Sequence, residues 1–77
     1  MYEKEKVIRL SNLDDVHEFV GAACKCDFDI DLKYKRILID AKSLLGVIGI
    51  GMNNDFKVCY AGNNTTFEKV VKKFASA

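Results

Sequence analysis

The chain has 77 residues, of which 49% are apolar and 30% are charged, and its formal net charge is +1. This composition is typical of a globular protein and excludes a disordered chain, while the small net charge gives no general attraction to nucleic acid or acidic membranes. The length predicts a single domain over residues 1–77. With no apolar run long enough to span a bilayer and no signal-peptide pattern, we expect a cytoplasmic protein with no membrane or nucleic-acid partner.

The first two predicted elements are a strand and a helix. Alternating apolar residues near the end of segment 2–10 predict a strand, and its polar beginning is typical of a sheet edge. Ser11 or Asn12 is expected to cap a helix over residues 13–25, with two aspartates in its first turn. Apolar residues recur there at helical spacing: Leu13, Val16, Phe19, Val20 and Ala23.

A hairpin and a short helix follow. The alternating segment 28–34 and the apolar segment 36–40 predict two strands joined by a tight turn at Lys35. Ser43 is expected to cap a short helix that runs to about Ile48.

The last two predicted elements are a strand over residues 55–61 and a helix capped by Asn64 or Thr65. In that helix, Glu68 is expected to face outward with the lysines. The resulting order is β-α-β-β-α-β-α. One-faced strands that alternate with helices predict an α+β, open-faced two-layer sandwich, in which three helices cover one face of a four-stranded antiparallel sheet.

The second helix contains more large apolar residues than one short helix can bury. Periodicity directs Leu45, Ile48 and Ile50 toward the sheet and leaves Leu44 and Val47 outward. An exposed apolar patch of this kind favours a protein contact site, whereas scattered surface hydrophobes are the ordinary alternative.

Three cysteines and one histidine are the candidates for metal or redox chemistry. The odd cysteine count and the Cys-x-Cys spacing of Cys24 and Cys26 favour free thiols that act as small apolar groups. A zinc site built from these two and His17 would need Cys59 to arrive from a distant segment. We therefore expect no metal site and no cofactor.

The segment AKSLLGVIGIG (residues 41–51) resembles the regulatory-serine helix of HPr proteins from low-GC Gram-positive bacteria. In that helix a serine opens a segment of the form S-[IL]-[ML]-G-[VI]-[MI]. The segment EFV (residues 18–20) is similar to a Phe-Val pair in the first helix of the same family, and the order of elements also agrees. HPr proteins are the small phosphocarriers of the bacterial sugar phosphotransferase system (PTS).

The resemblance implies the open-faced sandwich and a regulatory phosphorylation site at Ser43, where Lys42 is adjacent and could offset the phosphate charge. It also implies a docking face made by the second helix and the start of the first. Its partners would be PTS components, a serine kinase or a transcriptional regulator. The residues that we assign to this face are Leu13, Leu44, Val47 and Ile48.

The segment before the first helix departs from the HPr pattern. In HPr proteins a histidine in a glycine-containing loop carries the phosphate, followed shortly by an arginine and a proline. Counting back from Phe19, the histidine falls on Asn12 and the other two on Asp14 and Asp15. Carboxylates there occupy the helix amides and repel a phosphoryl group, so we expect neither carrier chemistry nor enzyme activity. HPr-like proteins of catabolite repression, which lack the histidine and act through phosphoserine, are a precedent.

Two alternatives stay open. One is an active phosphocarrier that uses His17, one turn inside the first helix. The other is a ferredoxin-like nucleic-acid binder, since β-α-β-β-α-β also describes that plan. Against the second, the candidate inner strand at 36–40 has no aromatic residue, and Asp29 and Asp31 would repel phosphate.

Overall fold

A computed structural model describes residues 4–76 of the chain, so the first residues of the predicted strand 2–10 lie outside the described part. Its strands form one antiparallel sheet in the order β1-β4-β2-β3, and the helices pack on one face of that sheet. The predicted α+β open-faced sandwich and its order of elements are confirmed. The elements are β1 (Lys4–Leu10), α1 (Leu13–Cys24), β2 (Ile30–Tyr34), β3 (Ile37–Asp40), α2 (Leu44–Ile50), β4 (Asn54–Tyr60) and α3 (Thr65–Phe74).

The hydrophobic core fills the space between the sheet and the helices. Aromatic rings form its centre, because the ring of Phe67 lies 5.2 Å from that of Tyr60 and 5.8 Å from that of Phe19, measured between centroids. These contacts join α3 to β4 and α1. The fully buried side chains around them include Ile8, Leu10, Val16, Ile30, Leu32, Val47, Phe56 and Val58.

The two edges of the sheet differ in how they are covered. β1 is an edge strand, as predicted, and the chain's own end pairs with it: the Ser76 amide donates to the Val7 carbonyl at 3.1 Å, and Ala75 bridges to Ile8. β3 forms the other edge. The prediction of an inner strand at 36–40 was wrong, because β2 rather than β3 pairs with β4.

The predicted strand 28–34 begins later than expected, at Ile30. Phe28 instead stacks on Tyr60, with 6.1 Å between ring centroids. Its ring also lies over Gly62, so closely that a Cβ at that glycine would come within 2.5 Å of it. The loop between β4 and α3, which contains Gly62, therefore packs against Phe28, and Phe28 lies against the core instead of extending strand β2.

Polar contacts tie α3 to the sheet. The Tyr60 hydroxyl donates to Glu68 Oε2 at 2.7 Å, and Lys4 Nζ lies 3.1 Å from the same oxygen. Burial acts to raise the pKa of Glu68, but the hydrogen bonds from Tyr60 and Lys4 hold it below its usual value. The expectation that Glu68 faces outward was wrong, because these two partners draw it to the edge of the sheet.

Candidate functional site

The N terminus of α1, where the resemblance places the phosphohistidine, is closed by its own side chains. Asn12 is the N-cap, one of the two predicted candidates, and its Oδ1 accepts from the Asp15 amide at 2.9 Å. Asp15 Oδ2 in turn accepts at 3.0 Å from the amide of Ser11, the residue before the N-cap. Two of the amides at this helix start, those of Ser11 and Asp15, therefore already have side-chain partners.

The charge of this turn opposes phosphate as well. Asp14 and Asp15 both lie in the first turn of α1, where carboxylates are favoured by the helix dipole. A phosphoryl group at Asn12 would have to displace a capping hydrogen bond and approach both acids. The turn is therefore well built as a helix start and poorly built as a phosphate site.

His17 lies on the exposed side of α1, beyond this turn. Its neighbours at helical spacing are Leu13, Asp14, Val20 and Gly21, and none of them is a cation. The geometry around His17 thus lacks the positive environment that stabilises a phosphohistidine.

Ser43 is exposed and caps α2, as predicted. Its Oγ accepts from the Gly46 amide at 3.2 Å, and its own amide donates to the Asp40 carbonyl at 3.0 Å. Asp40 Oδ1 also accepts from the Lys42 amide at 2.9 Å, which fixes the turn that precedes the helix. The serine hydroxyl is therefore held at the surface by a tight turn after β3.

Lys42 does not serve the role expected from its position beside Ser43. Its Nζ donates to the Cys26 carbonyl at 3.0 Å, and its carbonyl accepts from Cys24 Sγ at 3.5 Å. The lysine thus fastens the Ser43 turn to the end of α1. A cation that balances a phosphate on Ser43 would have to come from elsewhere.

The two glycines of α2 are expected to respond oppositely to alanine. A Cβ at Gly46 would lie 2.9 Å from Ile39 Cγ2 and 3.0 Å from Ser43 Oγ, while a Cβ at Gly49 meets nothing within 4 Å. Gly46→Ala should cost about 1–3 kcal/mol through overpacking, which exceeds the gain of about 0.5–1 kcal/mol in helix propensity. Gly49→Ala should stabilise the chain by that gain alone, because the added Cβ has no close neighbour. Urea denaturation checks both, and a stabilising Gly46→Ala would contradict the packing described.

Two hydrogen bonds, one at each end of α2, determine how α2 is oriented relative to α1. At one end Cys24 Sγ contacts the Lys42 carbonyl, and at the other the Asn53 amide donates to the Leu10 carbonyl at 2.8 Å. The two helices therefore run antiparallel. The turn before Ser43 contacts the C-terminal end of α1, and the segment after α2 contacts Leu10, which precedes α1.

We call the surface along these helices the α1–α2 face and define it by Leu13, His17, Leu44, Leu45 and Ile48. Leu13 is 49% exposed and Leu45 is 83% exposed, while Leu44 and Ile48 are half-buried against the core. Helical spacing puts His17 on the same flank of α1 as Cys24, which contacts the turn before α2. The face is thus apolar with one histidine.

The predicted orientation of α2 was wrong at three positions, since Leu44, which was predicted to face outward, is half-buried against the core. Val47 is only 1% exposed, and Leu45 is the outward residue. Leu44, Val47 and Ile48 follow the i, i+3, i+4 spacing of one helical stripe, and Val47 lies at its buried side. Leu45 is rotated by about 100° from Leu44, so it cannot share that stripe. Val47 is therefore removed from the predicted contact residues, and Leu45 takes its place.

The cysteines do not converge on one site. Cys24 and Cys26 lie at the end of α1, whereas Cys59 alternates with the core residues of β4 and points to the open face of the sheet. Within residues 4–76 no group of three His, Cys, Asp or Glu side chains is placed to hold a metal ion. Burial raises the pKa of the Cys26 and Cys59 thiols, and Glu5 raises that of Cys59 further, which makes both poor nucleophiles.

The open face of the sheet carries acids and bases but no aromatic side chain from its described strands. Tyr34, the aromatic residue of β2, instead packs edge-on against Phe56 of β4 on the covered face of the sheet. RNA-binding sheets stack bases on aromatic residues, so this face does not favour a nucleic-acid site. Its residues include Glu5, Val7, Arg9, Asp31, Lys33, Leu38, Asp55, Lys57 and Cys59.

The fold and the site together define a small α+β open-faced sandwich with a serine-capped helix on its covered side. No protein-family model matches the chain, and no curated protein is significantly similar to it. The link to HPr proteins therefore depends on the resemblance of segment 41–51 and the order of elements. Between residues 4 and 76, no helix has the length and apolar character that crossing a membrane requires.

Proposed function

We propose that this chain is an HPr-like, PTS-related regulatory domain of the cytoplasm that binds a protein partner through the α1–α2 face. In this proposal Ser43 is phosphorylated and no phosphohistidine is carried. The observation that carries it is the position of Leu45, the most exposed large apolar side chain among the described residues, two positions after the exposed cap Ser43.

The apolar content of the face supports protein binding. Burying an exposed leucine contributes about 1.5–3 kcal/mol, so Leu45 and Leu13 together can act as anchors for a partner's apolar groove. Leu44 and Ile48 are packed against the core and give these anchors a rigid base. Serine kinases, PTS components and transcriptional regulators are the partners that the resemblance suggests.

The chemistry of Ser43 supports regulation of that contact. A phosphate there would add a charge of about −2 next to Leu44 and Leu45. Since the Lys42 ammonium is engaged with Cys26, the partner would supply the balancing arginine or lysine. Phosphorylation would then select partners with a basic rim around an apolar groove.

Phosphorylation of Ser43 is tested directly with the serine kinase that acts on HPr proteins, together with ATP. We expect one added phosphate by mass spectrometry, localised to Ser43 and absent in Ser43→Ala. Ser11→Ala is the matched control, because Ser11 is also exposed at a helix start, and it should be modified as the wild type is. No phosphate, or a phosphate that persists in Ser43→Ala, would refute the regulatory site.

Loss of carrier chemistry is tested with the general PTS enzyme and labelled phosphoenolpyruvate. We expect no acid-labile label on the chain, because the start of α1 is capped by Asn12 and Asp15. Label that appears in the wild type and disappears in His17→Ala would instead establish the alternative, a phosphocarrier that uses His17.

A further inference from the structure

β3 leaves one edge of the sheet open. The opposite edge is covered by Ala75 and Ser76, whereas no segment of residues 4–76 pairs with the outer side of β3. Natural sheets protect such edges with charges, bulges or covering loops, because an open strand pairs readily with another chain. The uncovered edge of β3 is therefore a place where another strand can pair with the sheet.

The direction of the backbone groups on β3 follows from one hydrogen bond. The Ala41 amide donates to the Ile30 carbonyl of β2 at 2.9 Å, so the backbone groups of Ala41 point toward β2. The direction of the backbone groups alternates along a strand, and those of Ile39 therefore also point toward β2. The amide and carbonyl of Leu38 face away from the sheet, and the amide of Asp40 does too.

The side chains at this edge are apolar on both faces of the sheet. Leu38 is 58% exposed and lies on the open face opposite Lys33, while Ile37 is 48% exposed and lies on the covered face opposite Tyr34. A partner that covers both must reach both faces. A strand added in the plane of the sheet does so, because its side chains alternate between the faces.

The sequence of this edge is complementary to itself. Residues 36–40 read Arg-Ile-Leu-Ile-Asp, with a cation at one end, an anion at the other and leucine in the middle. If two copies pair antiparallel about a two-fold axis at Leu38, each Arg36 lies opposite Asp40 of the second copy. Leu38 then pairs with Leu38 of the second copy through its free amide and carbonyl.

Asp40 keeps its own contact in this arrangement. Its Oδ1 accepts from the Lys42 amide at 2.9 Å, and that hydrogen bond lies within one copy of the chain.

We propose that the chain self-associates through β3, forming an isologous dimer in which the two four-stranded sheets become one continuous sheet. The edge is only four residues long, so the interface falls below the roughly 1,200 Å² of stable complexes, and the dimer is a weak one in the micromolar to millimolar range. The helices α1 and α2 keep their outer surface in this dimer, which makes the proposal independent of the α1–α2 face.

A charge-swap experiment tests the pairing. Arg36→Glu places two acids opposite each other in a dimer, and Asp40→Lys places two cations opposite each other. Each variant alone should remain monomeric in sedimentation equilibrium at concentrations where the wild type dimerises. An equal mixture should associate again as a heterodimer, because every acidic position of one variant then lies opposite a cationic position of the other.

Further variants separate pairing from folding. Leu38→Lys should abolish dimerisation with an unchanged circular dichroism spectrum, and Leu45→Lys, on the α1–α2 face, should leave it intact. Wild-type chain that stays monomeric at millimolar concentration would overturn the proposal, and so would variants that dimerise as the wild type does. If the wild type is monomeric, the remaining candidate for pairing with β3 is an extended segment of a different protein.

Discussion

Replacing Val47 by aspartate is expected to unfold the chain. Val47 is almost fully buried, so Val47→Asp loses about 1.5–3 kcal/mol of apolar burial and adds several kcal/mol for an unpaired buried charge. A domain of this size has a total stability of about 4–12 kcal/mol. Circular dichroism at 25 °C should therefore show a largely unfolded chain.

Leu45→Asp is the matched control for this experiment. It makes the same type of change two residues away, but at a side chain that is 83% exposed and near the start of α2, where a carboxylate is favoured. Its effect on the free energy of unfolding should stay within about 0.5 kcal/mol. A destabilising Leu45→Asp together with a harmless Val47→Asp would show that α2 is rotated by about half a turn from the arrangement described.

The second large effect is expected at Phe67. Its ring is fully buried between Phe19 and Tyr60, and removing it leaves a cavity where α3 meets β4 and α1. Phe67→Ala should cost about 3–5 kcal/mol, and the thermal midpoint should fall by more than about 10 °C. Differential scanning calorimetry measures both quantities.

Phe28→Ala provides the comparison, since Phe28 also contacts Tyr60 but lies half-buried at the rim. Less apolar area is lost and the site opens to solvent, so the cost should be about 1–2 kcal/mol. Equal losses for the two substitutions would contradict the central position of Phe67 in the core.

Together the proposals assign separate surfaces of a small domain to separate tasks. In these proposals the α1–α2 face binds a protein partner through Leu13 and Leu45, beside the Ser43 turn, and the β3 edge pairs with a second copy of the chain. Ser43 lies close to both, because its amide bonds to Asp40 at the end of β3. A phosphate on Ser43 would therefore also bring negative charge near the Arg36–Asp40 pairing of the dimer.

Local chemistry in the sequence was sufficient to predict the elements and their starts. Asn12, Ser43 and Asn64 cap the three helices through hydrogen bonds that span only three residues, so neighbouring sequence determines them. The alternation of β2 and β4 likewise identified the buried faces of the central strands. The acidic turn after Asn12, which argues against carrier chemistry, was visible for the same reason.

Only the tertiary structure decided which strand forms the open edge and which leucine faces solvent. A strand's neighbours depend on how distant segments pair, and β3 became an edge because β2 took the place beside β4. In α2 every position but the glycines is apolar, so hydrophobicity could not distinguish Leu45 from Val47. The packing of α2 against β3 and α1 made that choice, because Gly46 must face Ile39 at close range and Val47 then enters the core.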